Sequence, residues 1–145
     1  MNSDNRREAL ADEIERHIGA EEAILKEYHV LADHLPEGPL SILINQITTE
    51  EEMHHFLLST LAEWLRSEPD TDPGSLLESI DRNAIAERAR MLQDHEQATI
   101  DACSDLKQQA QGEPDELLEA LLDVLILDSR KHHRLLAALD RIASG

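Results

Sequence analysis

The sequence predicts an all-α fold of four long helices arranged as two hairpins, and three observations carry that reading. Apolar residues make up 41% and charged residues 30% of the chain, while Phe, Trp and Tyr occur once each; Leu, Ala and Glu are good helix formers, and the aromatic content that sheets favour is scarce. Proline and glycine fall in a few tight clusters and leave long uninterrupted stretches between them. Two of those stretches also overlay without a gap: Glu50-Glu51-Glu52-Met53-His54-His55-Phe56-Leu57-Leu58 on Asp128-Ser129-Arg130-Lys131-His132-His133-Arg134-Leu135-Leu136.

The elements follow from the punctuation. Leu35-Pro36-Glu37-Gly38-Pro39 closes a first helix expected over residues 4–35 and opens a second over 40–66, Pro39 suiting the first turn. Ser67-Glu68-Pro69-Asp70-Thr71-Asp72-Pro73-Gly74 is the longest break. Residues 75–83 are expected as a separate short helix within a crossover, since joining them to the third helix would make it overshoot its partners by about two turns at ~3.6 residues per turn. The third helix is expected over 84–110. Gln111-Gly112-Glu113-Pro114 then precedes a fourth over 115–143.

Apolar periodicity marks the inward faces. On the first helix Ile14, Ile18, Leu25, Tyr28 and Ala32 form a stripe interrupted by Glu21, with Glu22 at its margin. On the second, Leu43, Ile47, Leu57, Leu61 and Leu65 flank His54, with Glu50 and Glu51 beside the stripe's centre. The third carries Ile85, Leu92, Cys103 and Leu106 around His95 and Glu96, and on the fourth Leu121, Leu125, Leu135 and Leu139 bracket Asp128 and His132. A weaker overlay of residues 16–22 on 90–96 sets Glu21 opposite His95 and Glu22 opposite Glu96. Gly19, inside the first helix, implies either a close helix contact or a local bulge that re-aims Glu21 and Glu22.

At 145 residues one domain, 1–145, is expected. The formal charge of −18, from 13 basic and 31 acidic residues, repels phosphate backbones and anionic lipid; nucleic acid and membrane surfaces are therefore poor partners and metal cations compatible ones. Cys103 is the only cysteine, which excludes an intramolecular disulfide, and it falls on an apolar stripe as a small buried thiol. With no apolar leader near Met1 and no apolar run near the ~18 residues of a span, a cytoplasmic protein is expected.

All four stripes are interrupted at similar depth by carboxylate or imidazole. Carboxylates buried without a cation cost several kcal/mol each unless protonated or paired. In Glu50/His54 and Asp128/His132 the two groups stand one turn apart on one helix face, which is metal-ligand spacing. Mixed carboxylate and imidazole ligands suit iron, manganese or zinc, and a carboxylate-rich set favours two metals over one.

These residues resemble the ferritin-like di-iron superfamily, in particular its bacterioferritin and rubrerythrin branches. The resemblance rests on Glu51-x-x-His54 on the second of four helices, Glu21 on the first and Tyr28 seven residues after it; that family places a glutamate on each of two helices and Glu-x-x-His on each of the other two. The resemblance implies a four-helix bundle with a long crossover, metal ligands drawn from Glu21, Glu51, His54, His95, Glu96, Asp128 and His132, two iron ions with manganese or zinc as alternatives, and Tyr28 near the reacting centre. It implies chemistry on dioxygen or peroxide, of ferroxidase or peroxidase type, or the handling of iron, in a protein assembling as a homodimer. The chain departs from the pattern at Ser129, which stands three before His132 where the family has Glu. A hemerythrin-like bundle fits less well, because His54 and His55 are followed four residues on by Leu58 and Ser59 and not by Glu. The reading from another class is a metal-free helical module whose buried acids pair with histidines and whose apolar faces serve interaction.

Overall fold

The computed structural model describes residues 2–67, 77–112 and 115–145. Four α-helices make up these residues: α1 (Ser3–His34), α2 (Pro39–Arg66), α3 (Arg82–Gln109) and α4 (Glu116–Ser144). No strand occurs among them. Contacts pair α1 with α2 and α3 with α4, so the chain resolves into two compact units, Met1–Asp70 and Thr71–Gly145, each a helical hairpin.

In the first unit the turn between α1 and α2 is short because its backbone needs are met locally. Leu35 N–H returns to the Ala32 carbonyl at 3.2 Å, and Gly38 adopts φ 137°, a conformation that favours glycine. Pro39 begins α2, where a missing N–H costs nothing. Ser41 Oγ donates to the Gly38 carbonyl at 2.6 Å and accepts from the Gly38 N–H at 3.4 Å, fixing the entry angle. The helices then run antiparallel, since the start of α1 meets the end of α2. Arg7 lies over the Trp64 ring, 4.9 Å from its centroid, and donates to the Trp64 and Leu65 carbonyls at 3.1 and 3.2 Å. Arg66 reaches back across α1 to Glu8 (3.1 Å), Asp12 (2.6 Å) and Glu15. Ala11, Ile44, Thr48 and Ala62 form the buried seam; the small side chains at Ala11 and Ala62 let the backbones approach.

The second unit repeats the plan with different caps. Asp81 accepts from the Ala84 N–H at 3.2 Å and so starts α3 two residues before the expected position. Asp115 does the same for α4 through the Leu118 N–H at 3.1 Å. Gly112 takes φ 102° in the intervening turn. Arg90 to Asp140 (3.2 Å) near one end and Lys107 to Asp123 (2.6 Å) near the other fix the antiparallel pairing. Ala86, Ala89, Cys103, Leu122, Ile126, Ser129 and Ala143 are buried along this seam, Cys103 as a small apolar filler.

Of the expected crossover helix, residues 75 and 76 lie outside the described residues, and what precedes α3 from Leu77 is a single turn closed by Ile80 N–H to the Leu77 carbonyl at 3.1 Å. Gly19 produces neither a close contact nor a bulge: α1 runs unbroken through it, and a Cβ placed there would meet nothing within 4 Å. No described helix is long and apolar enough to cross a membrane.

Candidate functional site

In the first hairpin, 3.6-residue periodicity sets Glu21 and Tyr28 on the α1 seam two turns apart. Glu51 faces Glu21 from α2. Glu51 is pushed above the usual carboxylate range, first by hydrogen bonding with the Glu21 carboxyl, then by burial and by the Glu21 charge. Their side chains are 22% and 21% exposed, enough enclosure that water does not screen the pair fully. His54 stands one turn further on, its Nδ1 3.7 Å from Glu51 and its Nε2 3.8 Å from Glu50. His17 flanks the other carboxylate, with Nε2 3.2 Å from Glu21. Tyr28 is half-buried on the same α1 face.

In the second hairpin Glu96 and His132 come together across α3 and α4, His132 Nδ1 lying 3.5 Å from Glu96 Oε1. Glu96 is the more enclosed, at 17% exposed. Asp128 is half-buried on the same helix as His132 and accepts from Lys131 Nζ at 3.4 Å. His95 is exposed, and its carbonyl accepts from Thr99 Oγ1 at 3.2 Å. Ser129, three residues before His132, is 6% exposed and occupies the α4 position that matches Glu51 in α2.

The burial rhythm of α1 recurs in α3 residue for residue: Ala11 with Ala86, Ile14 with Ala89, Ile18 with Gln93, Leu25 with Ile100, Tyr28 with Cys103. That register sets Glu21 opposite Glu96, one residue away from the overlay that the shared Arg16 and Arg90 suggest. Both arginines are exposed, and they pair differently, Arg16 with Glu13 on its own helix and Arg90 with Asp140 across to α4, so their shared identity does not set the register. The α2 and α4 overlay keeps its sequence register, with Ile44 on Leu122 and Thr48 on Ile126, all buried.

Two α1 residues at this site, His17 and Glu21, form His-x-x-x-Glu, the carboxylate–histidine spacing run in the opposite order. The donor set of the first hairpin is oxygen-rich with imidazole at either side, a set that suits a hard or borderline cation. Glu21, Glu51 and His54 are therefore the residues able to hold a metal ion there. Among the described residues, no three His, Cys, Asp or Glu side chains are yet drawn together at metal-holding distance. No family model, curated protein or solved structure matches this chain.

Proposed function

We propose that this chain is a ferritin-like non-haem metal protein, using iron on dioxygen or peroxide or handling iron itself, with Glu21, Glu51 and His54 as ligands from the first hairpin and Glu96, Asp128 and His132 from the second. The observation that supports this is the facing of Glu21 and Glu51, two largely enclosed carboxyls from different helices whose proximity raises the Glu51 pKa. A divalent cation held by these residues would offset their repulsion. Iron would supply reducing electrons and open coordination positions for an oxygen species. The protein's own part is to hold the acids ionised when metal is present, to keep an imidazole beside each acid cluster, and to set the Tyr28 hydroxyl on the same α1 face.

A second reading rests on a specific observation too. His54 and His132, like the other histidines about the acids, stand within 3.8 Å of a carboxylate, and both hairpins leave large apolar side chains exposed, among them Leu57 and Leu61 on α2 and Leu135 and Leu139 on α4. On this reading the bundle is an interaction module whose acids are neutralised internally. Metal analysis separates the two. Protein prepared without chelator and titrated anaerobically with ferrous ion is expected to bind metal, and His54→Ala or His132→Ala to lower the stoichiometry while helicity by circular dichroism is retained. Unchanged metal content in both variants refutes the ligand assignment, and no uptake at all by the unaltered protein favours the interaction module.

A further inference from the structure

A second group of donors lies on the first hairpin, apart from the Glu21–Glu51 pair. Glu22 and His29 are two turns apart on one face of α1, and Glu52 and His55 are one turn apart on α2. They form two cross-helix rungs: His55 Nε2 lies 3.4 Å from Glu22, and His29 Nε2 lies 3.7 Å from Glu52. Between the rungs is a groove of about 280 Å³ lined by these four side chains with Leu25 and Lys26. Glu22 is about 100° round α1 from Glu21, and His55 about 100° round α2 from His54, so this groove opens on a different side of the hairpin from the first cluster.

We propose that this groove is a binding site for a single divalent transition-metal ion, with Glu22, His29, Glu52 and His55 as ligands. Two imidazoles and two carboxylates make a nitrogen–oxygen set suited to zinc, ferrous or cobaltous ions, and the absence of thiolate argues against soft cuprous ion. The axial geometry permits convergence. Helical side chains lean toward their own N-terminus, which brings His29 back toward Glu22. On α2 the rise between Glu52 and His55 is only about 4.5 Å at ~1.5 Å per residue. The two rungs stand apart in the structure, and binding one ion would require side-chain rotation to bring them together. Lys26 is the opposing charge at the rim; its four-carbon stem lets the ammonium swing into water.

The second hairpin supplies an internal comparison. In the register that matches α1 with α3 and α2 with α4, Glu22, His29 and Glu52 correspond to Gln97, Ser104 and Arg130, and only His55 has a counterpart donor, His133. Packing of a hairpin seam therefore does not require two acids and two imidazoles at these positions. Their presence in the first hairpin is a chemical feature and not a consequence of the repeat.

The test uses cobaltous ion as probe in full-length protein carrying Glu21→Ala, Glu51→Ala, His54→Ala and His132→Ala, which removes the first cluster's three donors and the second hairpin's imidazole and so separates the result from the function proposed above. This protein is expected to bind one equivalent of cobalt with visible d–d bands. Adding His29→Ala and His55→Ala should abolish the bands and weaken binding at least roughly tenfold. Glu22→Gln in the otherwise unaltered protein, a change at an exposed side chain that leaves the fold intact, should weaken zinc binding at one site by titration calorimetry. Cobalt binding that survives loss of both histidines in this background, or a failure of the Glu21→Ala/Glu51→Ala/His54→Ala/His132→Ala protein to bind cobalt at all, overturns the proposal.

Discussion

Ser129→Glu rebuilds, in the second hairpin, the Glu-x-x-His arrangement that the first one carries at Glu51 and His54. Ser129 is 6% exposed, so a glutamate there enters an enclosed seam facing α3 and its Glu96. Without metal, the new carboxyl must be desolvated or protonated beside an existing acid. Buried polar groups lacking full compensation cost about 1–3 kcal/mol in protein mutational data, and a charged one costs more. About 2 kcal/mol is the appropriate scale, because protonation relieves the worst of the charge. For a unit of this size, each kcal/mol moves the melting temperature by roughly 4–8 °C, so in chelator the variant should melt on the order of 10 °C below the unaltered protein. A metal that binds only the folded state at a hundredfold excess over its dissociation constant returns about 2.7 kcal/mol, enough to cancel the loss. The assay is thermal unfolding by circular dichroism, in chelator and in saturating manganous or anaerobic ferrous ion, with Ser129→Gln as the control of equal size and no charge. Rescue of Ser129→Glu but not of Ser129→Gln is expected. Equal rescue of both, or of neither, refutes the reasoning that this seam position is a ligand position.

Other outcomes follow from single features. The unaltered protein should itself melt higher with saturating ferrous, manganous or zinc ion than in chelator, and equal melting temperatures would contradict the metal reading. Glu51 has its folded-state pKa raised; in the metal-free protein its contribution to stability is therefore full below the ordinary carboxylate pKa and is lost as pH rises through the raised value. Glu51→Gln should remove that decline, as read by denaturant unfolding in chelator at stepped pH. Ile44, 3% exposed at the centre of the first seam, should cost about 2–5 kcal/mol on replacement by Ala, measured by the same unfolding. Gly19→Ala should stabilise by up to about 1 kcal/mol, since the position is helical and open; destabilisation there would mean that something does pack against it.

Much of the secondary structure was legible because the chain marks its helix ends with residues whose chemistry acts locally. Pro39 and Gly38 meet backbone needs within a few residues, and the long apolar stripes between such marks have one dominant period. The helix limits observed differ from the expected ones by one or two residues, the largest difference arising where Asp81 caps α3 earlier than the first alanine suggests. Cross-helix register was less legible. The overlay of residues 16–22 on 90–96 aligns Arg16 with Arg90, both exposed, whereas the buried rhythm aligns Ala11 with Ala86 and Ile18 with Gln93, one residue away. The rungs His55–Glu22 and His29–Glu52 could not be read at all from single-helix spacing, because they depend on the axial offset between two helices, which no period within either helix contains.

The same comparison between hairpins says where the chemistry is concentrated. The seams share one rhythm of buried positions, yet the polar content differs at almost every equivalent place. Glu51 becomes Ser129, Tyr28 becomes Cys103, Glu52 becomes Arg130, and of the acids on the two seams only Glu21 with Glu96 and Glu50 with Asp128 correspond. A seam needs small and apolar side chains to close, and both hairpins have them. It does not need two facing acids such as Glu21 and Glu51 in the first hairpin. Enclosing Glu21 and Glu51 costs desolvation and mutual repulsion that Ser129 avoids, so the first hairpin carries a destabilising feature that its repeat shows to be dispensable for folding. Destabilising polar groups of that kind are where function is to be sought, and here they single out α1 and α2.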